Sequence, residues 1–271
     1  MTPARAETSR QAYFREMAHG TPRTFVVTGS GRSGTEFISL ALSAAGVRCG
    51  HEAVFGPRTT GVPPFGPWTG DASWLAAPFL ADLPAGTAVL HQVRDPFSVI
   101  SSWYGLRFLA DDGPYSSRTA SGLLRLLAHE ASTRWARSRG RRVFVARDYE
   151  RFVARHLPAA VEPASRLDRC MRYWVGWNEM VERAADRSEI DYLRFKLEEV
   201  DARWPEILGF IGVDAVESAR PPDLRRSSAG GRASQPNARP HHEVLRREQL
   251  VESPEYERVC ELAIRYGYPA P

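Results

Sequence analysis

Basic and hydroxyl side chains lie among glycines in one short segment near the start of the chain. From Gly29 to Gly34 the order is Gly-Ser-Gly-Arg-Ser-Gly, and Thr35 follows directly. Glycines let a backbone approach a ligand closely and adopt positive φ angles. An arginine and hydroxyl groups beside backbone N–H donors are suited to binding an anion such as phosphate or sulfate. The alternative is an ordinary turn in which the glycines serve only the chain reversal.

The sequence around this segment predicts the elements that would position it. Phe25 to Val27 is a short apolar run that indicates a buried strand, and apolar residues recur from Phe37 to Leu42 with helical spacing. A strand, a glycine-rich turn and a helix direct free N–H groups and the positive end of a helix dipole at a bound anion. We therefore expect an anion site near residues 30–36.

The segment lacks the lysine of the common nucleoside-triphosphate loop. That loop reads G-x-x-x-x-G-K-S/T, and its lysine contacts the terminal phosphates. Here Gly29 and Gly34 have the required spacing, but Thr35 stands in the lysine position, and the only lysine, Lys196, is distant in sequence. Arg32 supplies the positive charge from within the loop. ATP or GTP hydrolysis of the usual type is therefore not expected.

A second strand-to-helix junction carries another arginine and serine. Residues 89–93 indicate a strand, and Asp95-Pro96 indicates a helix start because proline suits the first turn of a helix. Arg94 follows the strand directly, where open α/β sheets bind ligands. With Ser102 two helical turns further on, it forms a suitable pair for a second phosphate. The alternative is that Arg94 pairs with a nearby carboxylate.

Together the two segments resemble the sulfotransferase family that uses 3′-phosphoadenosine 5′-phosphosulfate. The matching motifs are G-x-G-R-S-G-T and an R-D-P step whose arginine precedes a serine by eight residues. The resemblance implies a P-loop-like sulfotransferase fold of the carbohydrate or bacterial type. It implies that Arg94 and Ser102 hold the 3′-phosphate, and that the 5′-phosphosulfate is held by Ser30, Gly31, Arg32, Ser33, Gly34 and Thr35. Glu36 departs from the pattern, because the family usually has Thr or Ser there.

The same resemblance implies sulfuryl transfer to a hydroxyl, less readily an amine, of a small molecule, glycan or lipid. Carbohydrate-type members have a presumed catalytic glutamate after the second strand, which Glu52 matches, and His51 competes for the role. Burial makes a carboxylate more basic, whereas histidine titrates near neutrality unaided. The alternative is that both merely end a loop. Arg32 would stabilise charge on the leaving oxygen, and no metal is required.

A late segment rich in Pro, Arg, Gly and Ser, residues 218–243, is predicted to be an irregular loop. By the same resemblance Arg232 and Arg239 would cover the nucleotide, and a flexible linker is the alternative. Two other functions stay open. One is an atypical P-loop kinase, against which the missing lysine argues, and the other is a non-catalytic nucleotide-binding module.

Composition and charge exclude several classes of protein. With 43% hydrophobic and 25% charged residues, the chain is ordinary for a globular protein. A formal net charge of +4 suits a polyanionic cofactor, but the scattered arginines give no nucleic-acid-binding signature. The three cysteines form neither a disulfide framework nor a zinc motif.

No apolar run approaches the ~18 residues of a membrane span, so we expect a cytoplasmic, bacterial protein with no transmembrane segment. The oligomeric state is open.

Alternating strand and helix signals predict an α/β protein with three layers, in which helices flank a parallel sheet. We expect a single domain over residues 1–271, with residues 1–20 as a helical extension. Strands are predicted near 24–28, 46–50, 87–93, 142–146 and 190–194. Helices are predicted near 35–45, 72–82, 96–109, 119–138, 147–157, 165–186, 198–211 and 244–266, the last with a break at Pro254. The stretch from Gly56 to Gly70 is predicted to be irregular.

Overall fold

A computed structural model describes residues 22–109, 146–187, 189–213 and 245–271. Within these ranges five parallel strands form one sheet with helices beside it, which is an α/β fold. The strands are β1 (Phe25–Thr28), β2 (Cys49–His51), β3 (Gly70–Ala72), β4 (Ala88–Val93) and β5 (Asp191–Lys196). The helices are α1 (Thr35–Ala44), α2 (Pro96–Gly105), α3 (Ala146–His156), α4 (Arg166–Arg187), α5 (Val200–Phe210), α6 (Glu248–Val251) and α7 (Tyr256–Arg265). Short 3-10 helices span Trp74–Asp82, Pro158–Ala160 and Leu197–Glu199.

The predicted elements agree with the structure except near β3. The strands predicted near 24–28, 46–50, 87–93 and 190–194 correspond to β1, β2, β4 and β5. β3 was not predicted, and the helix predicted near 72–82 is a 3-10 helix that contains Pro78. Proline removes a backbone donor, which disfavours a regular α-helix at that point. The predicted strand near 142–146 lies almost entirely outside the described residues, and the elements predicted over 1–20, 119–138 and 218–243 also lie outside them.

The chain connections diverge between strands β1 and β4. The order is β2-β3-β1-β4-β5, and β1 and β4 are neighbours paired from Phe25↔Ala88 to Thr28↔His91. After β1 the chain continues to β2 on one side of this pair, and after β4 it continues to β5 on the other side. Connections that leave adjacent strands in opposite directions define a topological switch point, where open α/β sheets bind ligands. This switch point lies where Gly29 and Arg94 begin their loops.

Helix α1 packs on one face of the sheet and so fixes where the glycine-rich loop ends. Alternate strand residues point to one face, and the core on this face includes Phe25, Val27 and Leu90. Ile38 and Leu42 of α1 belong to the same buried core. The apolar face of α1 therefore fixes its first turn beside the carboxyl end of β1.

The described residues divide into two compact units. The first comprises 22–56, 61–94, 181–187 and 189–213 and contains the whole sheet; the second comprises 57–60, 95–109, 146–180 and 245–271 and is helical. Aromatic contacts fill the second unit, with ring centroids 5.3 Å apart for Trp103 and Tyr173. None of the helices in these ranges combines the length and the apolar character that crossing a bilayer requires. The expectation of a single domain stays a prediction.

Candidate functional site

The loop between β1 and α1 turns tightly at its centre. The N–H of Ser33 donates to the carbonyl oxygen of Ser30 over 3.1 Å. Arg32 has a φ of 74°, in the left-handed region that favours glycine. Such a conformation is unfavourable by about 1–2 kcal/mol for a residue with a side chain. The loop therefore presents an arginine side chain from a position where glycine would be less strained.

Strand β4 holds this loop in place from the neighbouring side of the switch point. A Cβ atom at Gly29 would lie 2.1 Å from the main-chain oxygen of Gln92, so a side chain has no room there. The side-chain Nε2 of Gln92 donates to the carbonyl oxygen of Ser33 over 2.7 Å. Just beyond β4, Nη1 of Arg94 donates to the carbonyl oxygen of Arg32 over 3.2 Å. The two predicted anion motifs therefore meet at Arg32 and Arg94.

Three buried hydroxyl groups in or next to the loop have no hydrogen-bond partner among the described residues. They belong to Thr28, Ser30 and Ser33, whose exposed fractions are 0%, 1% and 0%. Leaving a buried donor unpaired costs about 1–3 kcal/mol, and such groups in a native protein indicate an ion, a ligand or water. Helix α1 begins alongside them with no side-chain cap on its first N–H groups. These donors together are suited to an anion.

The remaining predicted nucleotide contacts are distributed along the chain. Thr35 is the first residue of α1, and Gly31 is buried within the loop. Ser102 lies on α2 in the second unit, where it is buried. Arg232 and Arg239 lie outside the described residues. The roles given to all of these residues stay predictions.

Both candidate bases lie at the end of β2, at the carboxyl edge of the sheet. His51 is the last residue of β2 and is exposed, and its Nε2 lies 3.4 Å from Oγ1 of Thr35. Glu52 is half-buried with a φ of 50°, and its Oε1 accepts a hydrogen bond from the indole N–H of Trp74 over 3.1 Å. A short strand thus places a carboxylate and an imidazole at the same edge as the glycine-rich loop.

A carboxylate that the sequence analysis missed holds the segment after Glu52. Asp71 of β3 is fully buried and accepts hydrogen bonds from the N–H groups of Ala53, Val54 and Phe55, over 3.0, 3.1 and 2.9 Å. Burial raises the pKa of the Asp71 carboxyl above its usual 3.8, and the three N–H donors offset part of that rise. No motif marks this residue, and its only sequence signal is an acid within a largely uncharged stretch.

Backbone strain coincides with the residues to which the sequence assigned chemistry. Among the described residues, the non-glycine positions with left-handed φ are Arg32, Glu52, Arg107 and Leu109. The first two are predicted catalytic residues. Strained backbone persists only where surrounding structure imposes it, and it concentrates at functional sites. The hydrogen bonds from Arg94 to the Arg32 carbonyl and from Trp74 to the Glu52 carboxylate are part of the surrounding structure that holds these two residues.

Comparison of the chain with protein-family models, curated proteins and solved structures finds no match. The functional groups of the site itself therefore indicate its chemistry. A guanidinium, buried hydroxyls and a helix N-terminus can bind an anion after β1. A carboxylate and an imidazole after β2 can accept a proton.

Proposed function

We propose that this chain is a sulfotransferase that uses 3′-phosphoadenosine 5′-phosphosulfate and has a P-loop-like sulfotransferase fold. The observation that carries the proposal is the set of buried hydroxyls of Thr28, Ser30 and Ser33 at the switch point, which have no hydrogen-bond partner within the part of the chain that the structure describes. An anion bound in the loop would give these donors acceptors. The positive charge of the site comes from Arg32 inside the loop, whereas the usual nucleoside-triphosphate loop has a lysine after its last glycine. This difference separates the site from that of ordinary nucleoside triphosphatases.

Some residues of the site bind the sulfuryl donor, and others accept a proton from the acceptor. When bound, the donor supplies a sulfuryl group and departs as 3′-phosphoadenosine 5′-phosphate. Ser30 to Thr35 hold the 5′ end, and the Arg32 guanidinium stabilises charge that develops on the bridging oxygen. Arg94 binds the 3′-phosphate, and the role assigned to Ser102 stays a prediction from the sequence. Glu52 or His51 takes the proton from the hydroxyl of the small-molecule, glycan or lipid acceptor, whose oxygen attacks the sulfur.

Nucleotide preference tests the cofactor. Isothermal titration calorimetry with 3′-phosphoadenosine 5′-phosphate and with ADP is expected to show at least about tenfold tighter binding of the bisphosphate. Arg94→Ala is expected to reduce that preference, whereas Asp191→Asn, which removes a partner of Arg23 in the first unit, is the matched control. Equal or tighter binding of ADP overturns the proposal and favours an atypical kinase.

Turnover tests the chemistry separately. An acceptor screen with radiolabelled donor, read by mass spectrometry of the product, is expected to yield a sulfated hydroxyl compound. One of the two variants Glu52→Gln and His51→Ala, whichever removes the base, is expected to abolish transfer while bisphosphate binding persists. Tight binding of the bisphosphate with no transfer to any acceptor class identifies a non-catalytic nucleotide-binding module instead.

A further inference from the structure

Three neighbouring residues that the proposed function does not use surround the segment that begins with Glu52. They are Asp71 of β3 and Ser73 and Trp74, which follow β3 directly. We name them the β3 clamp. Each bonds to the segment 52–55, and all three are nearly or fully buried.

Trp74 contacts the Glu52 side chain itself. Its indole N–H donates to Oε1 of Glu52 over 3.1 Å, and the Trp74 side chain is 5% exposed. An N–H donor stabilises the ionised form of a carboxylate, which is the form that accepts a proton. A buried indole is also a rigid support, since it has few rotatable bonds and packs on all sides.

Asp71 and Ser73 hold the main chain that follows Glu52. The Asp71 carboxylate accepts from three consecutive N–H groups, those of residues 53–55. The Ser73 hydroxyl donates to the carbonyl oxygen of Phe55 over 2.9 Å. Before the segment, the Glu52 N–H donates to the carbonyl oxygen of Ala72 over 3.3 Å. These bonds hold the main chain at Glu52, whose φ is left-handed, and directly after it.

We propose that the β3 clamp positions the Glu52 carboxylate for proton transfer, which makes Glu52 rather than His51 the base. This inference rests on the proposed function for the existence of a transfer step. Within the described ranges His51 has no comparable support: the residue is exposed, and its contact with Thr35 is 3.4 Å long. Catalytic groups must be held within a fraction of an ångström of the productive geometry. The clamp provides hydrogen bonds to the Glu52 carboxylate and to the main chain that follows it.

The decisive pair of variants is Trp74→Phe and Trp204→Phe. Trp74→Phe removes an indole N–H that donates a hydrogen bond to Glu52. Trp204 is also buried in the same unit, but its indole N–H has no hydrogen-bond partner among the described residues. Trp74→Phe is expected to lower kcat by about tenfold or more, with KM and bisphosphate affinity within about twofold of wild type. In the plot of kcat against pH, the acidic limb of this variant is expected to move to higher pH. Trp204→Phe is expected to keep the wild-type kcat and profile.

The plot of kcat against pH is repeated in the His51→Ala background, because His51 is the competing base and directly precedes Glu52 in the chain. The shift caused by Trp74→Phe is expected to persist there. A wild-type kcat and profile in Trp74→Phe, or an equal loss in Trp204→Phe, overturns the inference.

Chemical rescue tests Asp71. Asp71→Ala leaves the N–H groups of residues 53–55 around a small cavity, so added formate is expected to restore part of the lost kcat, whereas chloride at equal ionic strength restores none. Folded Asp71→Ala that keeps wild-type kcat overturns a positioning role for Asp71. If this variant does not fold, Asp71→Asn replaces it, because the amide presents an NH2 group to N–H donors and is expected to lower kcat without changing bisphosphate affinity.

A readout without turnover separates this inference from the proposed function. Protonation of Glu52 is expected to change the fluorescence of Trp74, seen as a pH transition in the difference between wild type and Trp74→Phe. Glu52→Gln is expected to remove that transition. A transition in a protein that sulfates no acceptor keeps the clamp and rejects the function, whereas sulfation without a transition rejects the clamp alone.

Discussion

The side-chain amide of Gln92 donates a hydrogen bond to the main-chain carbonyl of Ser33 over 2.7 Å. Gln92 is fully buried near the carboxyl end of β4, and its own main-chain oxygen occupies the space that a side chain at Gly29 would need. The bond therefore crosses the switch point and ties the glycine-rich loop to a neighbouring strand. The position of the loop is set by the sheet as well as by its own turn.

Gln92→Leu is expected to lower the free energy of unfolding by about 1–3 kcal/mol, because the carbonyl of Ser33 loses its buried partner. Bisphosphate affinity is expected to fall as well, since the loop is no longer held. Urea denaturation and calorimetry measure the two effects. Gln249→Leu in the second unit, where Oε1 accepts from the N–H of Arg246 at an exposed site, is the control and is expected to leave affinity unchanged. Unchanged affinity in Gln92→Leu would show that this bond serves stability alone.

Two buried serines with the same exposure are expected to respond in opposite ways. Ser33 and Ser73 are both 0% exposed, but their hydroxyl groups differ. The Ser73 hydroxyl donates to the carbonyl oxygen of Phe55 and accepts from the N–H of Leu75, whereas the Ser33 hydroxyl has no partner among the described residues. Ser73→Ala is expected to lower the free energy of unfolding by about 1–3 kcal/mol. Ser33→Ala is expected to leave it unchanged or raised, while bisphosphate affinity falls about tenfold. A stability loss in Ser33→Ala with normal affinity would mean that the Ser33 hydroxyl serves the fold and not a ligand.

Two glycines are expected to differ in their tolerance of alanine. Gly29→Ala is expected to destabilise the protein by about 1–3 kcal/mol, because the new Cβ would lie 2.1 Å from a main-chain oxygen. Gly209 lies near the end of α5 with no atom within 4 Å of such a Cβ, so Gly209→Ala is expected to stabilise by about 0.5–1 kcal/mol. Thermal unfolding compares them. Similar melting temperatures for the two variants would contradict the close approach of the loop to β4.

The three cysteines are expected to differ in reactivity. Burial raises the pKa of the Cys49 and Cys170 thiols to about 12, whereas Cys260 is only partly buried. Burial keeps the two buried thiols in the protonated form, so a thiolate-selective reagent is expected to label Cys260 alone in the native protein. Labelling of all three follows on denaturation, since unfolding exposes Cys49 and Cys170. Rapid native labelling at Cys49 would contradict the packing of β2.

Local patterns were enough to predict the loop and the β4–α2 junction. Asp95-Pro96 predicted a helix start, and the structure confirms it, with the N–H of Ser98 donating to the Asp95 carboxylate over 2.8 Å. The run from Phe25 to Val27 predicted a buried strand before the glycines, and β1 is fully buried. Each of these features depends on residues close together in sequence, which is why spacing alone revealed them.

β3 and Asp71 depend on contacts distant in sequence and so were not predicted. Gly-Asp-Ala lacks the β-branched and aromatic residues that indicate a strand. Gly70 is needed because a Cβ there would lie 2.3 Å from the ring of Phe25 on the neighbouring strand. Asp71 meets Ala53, 18 residues earlier. A carboxylate whose partners are backbone N–H groups leaves no pattern of side chains to detect.

The left-handed backbone at Arg32 and Glu52 has a consequence for laboratory evolution. Glycine at either position would relieve roughly 1 kcal/mol of conformational strain. A library randomised at both codons and screened only for survival of heating is expected to enrich glycine or asparagine there. The same library screened for product would return the parental pair, so heat tolerance and activity would select different sequences at these two codons.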